Sequence, residues 1–185
     1  MNAQLMNAPF EFKHLCIMGN LKEIKKFYFK NQTINISANN EYAFRCACIT
    51  GHLNLAKWLL EVKPNINISA YDENAFRCAC ENGHLEVAKW LLEVKPDINI
   101  SADWEYAFRY ACENGHLEVA KWLLEIKPDI NINCVVGYWP YEIRQWLNSL
   151  ETEKLYFKET ISTDIEQDCS ICLIKNSKLQ NKLPT

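Results

Sequence analysis

Gly83-His84-Leu85-Glu86-Val87-Ala88-Lys89-Trp90-Leu91-Leu92-Glu93 decides the fold, because the chain writes it three times. Near-copies stand at 51–61 and 115–125, so His52, His84 and His116 and Trp58, Trp90 and Trp122 recur every 32 residues. Pro64, Pro96 and Pro128 keep the same step, and Gly19 extends the series Gly51, Gly83, Gly115 toward the N-terminus. Residues 51–82 and 83–114 differ at seven positions. A period between about 20 and 50 residues marks an array of stacked units and takes precedence over any other reading.

Each unit reads as two helices and a turn. Ala75-Phe76-Arg77-Cys78-Ala79-Cys80 forms a short helix that stops at Asn82-Gly83, where glycine permits a positive φ. Leu85, Val87, Ala88, Leu91 and Leu92 then place an apolar stripe on a second helix. Glu86 in its first turn and Lys95 at its end suit the helix dipole, and Pro96 prevents continuation. Asp97-Ile98-Asn99-Ile100-Ser101 is expected to be an extended, turn-like finger between units. Neither helix can bury its apolar face alone, so the units must stack.

The ends differ from the middle, as caps of a solenoid should. Phe12, Leu15, Cys16, Leu21, Ile24 and Phe27 give a first helix pair, with Lys13, Lys22, Lys25 and Lys26 for its exposed side. Pro140 opens a last helix whose stripe is Ile143, Trp146, Leu147 and Leu150. Residues 1–151 are therefore expected to form the array, about four helix pairs plus a capping helix. Residues 152–185 form a polar tail outside the repeat register.

With 185 residues and 49% apolar content, the chain can bury a substantial core. It contains no apolar window of membrane-spanning length and no basic-then-apolar opening of a secretory signal. A net charge of −3 is a poor match for nucleic acid. Nine cysteines without such a signal point to a reducing compartment. A cytoplasmic monomer that binds neither nucleic acid nor membrane is expected.

Gly83 through Glu93, followed by Asp97-Ile98-Asn99, resembles the second helix and finger of the ankyrin repeat. The Ala-Phe-Arg and Lys-Trp-Leu-Leu wording resembles the ankyrin-repeat proteins of giant amoeba-infecting DNA viruses (mimivirus-like), and the likeness covers roughly residues 10–150. The resemblance implies an all-α solenoid of stacked helix pairs with short finger turns. It also implies a protein-binding scaffold without catalytic activity or cofactor, engaging a host or viral protein on its concave face. Two departures stand out: the unit is one residue shorter than the usual period of about 33, and the Thr-Pro-Leu-His opening is missing.

Tyr42-Ala43-Phe44-Arg45, Asn74-Ala75-Phe76-Arg77 and Tyr106-Ala107-Phe108-Arg109 replace that opening. Glu41, Glu73 and Glu105 stand four residues before Arg45, Arg77 and Arg109, the favourable order for a helical ion pair. Such carboxylate–guanidinium contacts are expected in at least two units, with Asn40 and Asp72 as N-caps.

The repeated chemistry-bearing residues read as structural. Equivalent residues in stacked units lie roughly 10 Å apart, whereas zinc ligands lie about 2 Å from the ion, so one ion cannot collect His52, His84 and His116. Cys46/Cys48 and Cys78/Cys80 are i, i+2 pairs on different faces, and Cys48, Cys80 and Cys112 stand where ankyrin units carry alanine. The tryptophans repeat too faithfully for selective recognition, so packing accounts for them. No phosphate loop, nucleophile elbow or His-Glu-x-x-His is present.

Positions that vary between matching units are the candidate partner contacts. In the fingers these are Asn39, Asn40, Tyr71, Asp72, Asp103 and Trp104; on the first helices, Glu81, Tyr106, Tyr110 and Glu113. Tyr71, Trp104 and Tyr106 are the residue types that anchor interfaces. In the tail, Asp168-Cys169-Ser170-Ile171-Cys172-Leu173 resembles the opening of a RING finger. Cys169 and Cys172 supply half a tetrahedral zinc site, and the 12 residues after Leu173 contain no Cys or His to complete it. The alternative function is thus the substrate-recruiting part of a ubiquitin ligase with a truncated zinc module.

Overall fold

The computed structural model describes residues 3–132 and 139–150, with side chains from Phe10 onward. The chain divides into two compact units, Met1–Pro140 and Tyr141–Thr185. In the first, α1 (Ala3–Met18) and α2 (Leu21–Lys30) open a series of helix pairs. The pairs α3 (Ala38–Ile49) with α4 (Leu53–Val62), α5 (Ala70–Glu81) with α6 (Leu85–Val94), and α7 (Ala102–Glu113) with α8 (Leu117–Ile126) follow. In the second unit residues 141–150 form α9, on which Ile143 and Leu147 are buried. No strand occurs among the described residues.

The first helices stack on one another, α1 on α3, α3 on α5 and α5 on α7, and each packs against its own second helix. The core is correspondingly periodic. Phe44, Phe76 and Phe108 are fully buried, and so are Cys16, Cys48, Cys80 and Cys112. A thiol there is the small apolar filler that close approach of two helices requires. Each buried phenylalanine contributes about 1.5–3 kcal/mol of transfer free energy. Trp58 and Trp90 are buried and Trp122 is half-buried. Their rings meet Tyr28, Phe44 and Phe76 of the preceding pair at centroid distances of 5.6, 6.2 and 6.3 Å, so the tryptophans pack between units.

The fingers are tighter than an extended segment. Ile98 N–H donates to Lys95 O and Ala102 N–H to Asn99 O, making two successive turns. Ile36, Ile66, Ile98 and Ile130 pin the fingers to the core.

α3, α5 and α7 do not begin as right-handed helices. Asn39-Asn40-Glu41, Tyr71-Asp72-Glu73 and Asp103-Trp104-Glu105 all have φ between 53 and 60°. Each triplet is one left-handed turn, closed by Glu41, Glu73 and Glu105 N–H donating to Ser37, Ser69 and Ser101 O at 3.2–3.3 Å. Left-handed helical conformation costs about 1–2 kcal/mol per non-glycine residue, so neighbouring contacts must hold these turns.

Candidate partner-binding face

The left-handed turns are held by arginine, and the predicted ion pairs do not form. Arg77 Nε donates to Asp72 O at 2.7 Å and Nη2 to Tyr71 O at 3.2 Å, while Nη1 pairs with Asp103 Oδ2 of the following unit. Arg45 makes the same fork to Asn40 O and Asn39 O and reaches Asn74 Oδ1 of the next unit at 3.0 Å. Arg109 donates to Trp104 O and Asp103 O. The planar guanidinium satisfies carbonyls that the left-handed turn leaves without helical donors.

The physical reason for the correction is the handedness. A glutamate four residues before an arginine lies beside it only on a continuous right-handed helix, and Glu41, Glu73 and Glu105 sit in the reversed turn. Their carboxylates fold inward instead. Ser69 Oγ donates to Glu73 Oε1 and Ser101 Oγ to Glu105, both at 2.8 Å, whereas Glu41 Oε1 accepts from Asn67 N–H at 3.4 Å. Glu41 and Glu73 are buried, each with an Oε2 that has no hydrogen-bond partner. Asn40 and Asp72 are likewise not N-caps: the right-handed helices begin at Tyr42 and Asn74, and these residues engage Arg45 and Arg77 through backbone carbonyls.

The histidines tie units together. Each is the residue before a second helix. His52 Nε2 lies 3.1 Å from Ile17 O, and the ring of His84 faces the backbone of Ile49, in both cases one unit back. No cluster of three or more His, Cys, Asp or Glu suited to a metal ion occurs among the described residues. Cys169 and Cys172 lie outside the described residues.

The candidate contacts separate into two groups. Asn39, Asn40, Tyr71, Asp72, Asp103 and Trp104 are exposed, Tyr71 by 57% and Trp104 by 86%. The Arg45 guanidinium stacks on Tyr71 at 4.6 Å from the ring centroid. Tyr106, Tyr110, Glu81 and Glu113 are half-buried. Tyr106 OH donates to Glu81 Oε2 at 2.8 Å and its ring lies 4.1 Å from that of Tyr110, with Arg77 stacked at 4.6 Å. Burial, and then this hydrogen bond to a carboxylate, raise the Tyr106 pKa. Beside it Cys78 is pushed up to about 11, by burial first and by the Glu81 charge second. Sequence reasoning missed the reversed turns. The signal was Asn and Asp at finger positions, the types that best tolerate left-handed backbone.

Stacked helix pairs carrying a row of exposed finger side chains on arginine-clamped turns form a helical repeat solenoid of the interaction-module type. Ankyrin-repeat models match residues 13–102, as three copies, and 105–134, as a further repeat. The matches together cover more than half of the chain, which belongs to the ankyrin-repeat family. Among solved structures it is similar to an ankyrin repeat family protein from Legionella pneumophila, at 34% identity and a TM-score of 0.59. The match covers 64% of this chain and 36% of that one, so the chain spans about a third of that protein's length. Curated protein sequences give no match. Ankyrin repeats are generally protein–protein interaction modules, and no helix among the described residues is long and apolar enough to cross a membrane.

Proposed function

We propose that the protein is a non-catalytic scaffold that grips a protein partner with its fingers and first helices, using Asn39, Asn40, Tyr71, Asp72, Asp103 and Trp104 with Tyr106, Tyr110, Glu81 and Glu113. The observation that carries this reading is Trp104. It is 86% exposed on a backbone turn that disfavours any bulky residue, while its counterparts Asn40 and Asp72 are small and polar. Because the turns are clamped by arginine, the face is preformed and loses little entropy on binding. The binding module is residues 1–151, with 152–185 appended to it. The resemblance to proteins of amoeba-infecting viruses supports a viral protein acting in the host cytoplasm.

The test is a quantitative pull-down of the full chain from amoebal lysate, comparing wild type with Tyr71→Ala/Trp104→Ala. Partners depleted at least about tenfold by the double variant support the reading; equal recovery overturns it. The ubiquitin-ligase alternative rests on Cys169 and Cys172, and stoichiometric zinc in the purified protein would favour it.

A further inference from the structure

Trp104, though 86% exposed, borders an open depression. It forms one wall of a cleft of about 610 Å³ lined also by Asp72, Ser101, Asp103, Glu105 and Asn131. The cleft spans three successive fingers, which supply Asp72, then Ser101 to Glu105, then Asn131. Its three carboxylates are not equivalently engaged. Asp103 offers Oδ2 to Arg77, Glu105 accepts hydrogen bonds from the Ser101 hydroxyl and feels the Lys127 charge, and the Asp72 side chain makes no hydrogen bond or ion pair among the described residues. No lysine or arginine lines the space. An aromatic face beside the unpaired Asp72 carboxylate, and beside a Glu105 carboxylate whose neighbouring Lys127 ammonium is already held by Asp129, attracts a cation through the ring quadrupole and through Coulomb attraction together.

We propose that this cleft receives a lysine or arginine side chain of the protein partner, laid over the Trp104 indole and paired with Asp72 and Glu105. The proposal rests on the scaffold reading above and specifies the chemistry of what is bound. The reversed turn at Asp103-Trp104-Glu105 serves the cleft directly. It projects the indole outward while folding Glu105 back toward Ser101, so one strained segment supplies both the aromatic wall and a carboxylate. The other fingers lack this pairing: Asn40 and Asp72 occupy the Trp104 position. A single unit is therefore specialised for the cation. An apolar or acidic partner segment gains nothing from such a lining, since carboxylates would be desolvated without compensation.

The experiment is NMR of the 15N-labelled full chain titrated with acetyl-Gly-Lys-Gly-amide, acetyl-Gly-Arg-Gly-amide and the uncharged acetyl-Gly-norleucine-Gly-amide. The Trp104 indole signal is assigned with Trp104→Phe. Both cationic peptides should move that signal saturably, and about 0.5 M salt should weaken them by screening. Norleucine should leave it in place, and Asp72→Asn/Glu105→Gln should weaken the cationic peptides about fivefold. Equal shifts with norleucine, or no shift with either cation, overturn the proposal on wild-type protein alone, whatever the variants do to folding. Partner loss in the double-alanine pull-down without a cation response would leave the scaffold reading standing and sink this one. A cation response without partner loss would overturn both, since the cleft would then bind cations without serving a protein partner.

Discussion

The imidazole of His84 fills the space beside the α-carbon of Gly51 in the preceding unit. A Cβ built on Gly51 would lie 2.6 Å from His84 Nδ1, and Gly51 itself holds φ at +76°. The same contact joins Gly83 to His116 and Gly19 to His52, whereas Gly115 meets Pro140 instead. The repeated Gly-His pair is thus one joint made across two units: glycine stops one helix and clears a seat for the next unit's ring.

Substitution at this joint should be graded by what fills the seat. Gly83→Ala suffers both the positive φ and the collision with His116, and should lose about 2–4 kcal/mol of stability. Gly115→Ala keeps the φ penalty but meets only Pro140 Cγ at 3.4 Å, so it should lose less. Urea unfolding of both variants, followed by far-UV circular dichroism, checks this. Equal losses would remove the ring from the account.

Arginine at the reversed turn should not be replaceable by lysine. Arg77 makes two carbonyl hydrogen bonds and one inter-unit ion pair with a side chain only 11% exposed. A lysine ammonium lacks the planar fork. Arg77→Lys should cost about 1–3 kcal/mol, and hydrogen exchange should quicken at Glu73 N–H, which closes the turn. A Glu73→Gln change leaves the arginine fork intact and should not reproduce that pattern. Unchanged exchange in the lysine variant would show that the turn needs no clamp.

The histidine joint also makes stability depend on pH. Burial lowers the His84 pKa below its usual value, against a smaller opposing effect from the Ile49 backbone, with the neighbouring His116 and His52 adding to the decrease. The folded chain therefore binds this proton less readily than the unfolded chain. Stability is full above the unfolded value of about 6.5 and declines as pH falls through it toward the lowered folded value. His84→Gln should flatten the stability profile between about pH 7 and 5. An unchanged slope in that window would assign the acid sensitivity elsewhere.

Thiol reactivity reports the stacking of the first helices. Cys48 and Cys80 are fully buried, and burial raises both well above the ordinary thiol range; Cys16 is pushed up to about 12, again chiefly by burial. Iodoacetamide at about pH 8 should label these three at least about a hundredfold more slowly than in urea, with sites resolved by mass spectrometry. Rapid native labelling of Cys80 would mean that α5 does not pack as described.

The repeat was legible because its signals are local and periodic. Spacing alone separated Leu91, buried on the inner stripe of α6, from the exposed Glu93. It likewise placed Trp90 in the packing and His84 at the start of a helix. The finger candidates Tyr71 and Trp104 were found by comparing units with one another, and both are exposed. The pairing of Glu73 with Arg77 was misread because spacing implies proximity only when handedness is known.

What the sequence determined by itself is the unit: two helices, a glycine stop, a finger, and the necessity of stacking, all set by periodicity within about thirty residues. What only the tertiary structure decided is where the polar groups go. Arg77 crosses to Asp103, His84 crosses to the Ile49 backbone, and Glu73 turns inward to Ser69. The reversal of the backbone at Tyr71-Asp72-Glu73 has an intrinsic cost that a single unit gives no reason to bear. It persists because groups brought together by stacking and by the arginine fork satisfy the carbonyls it exposes.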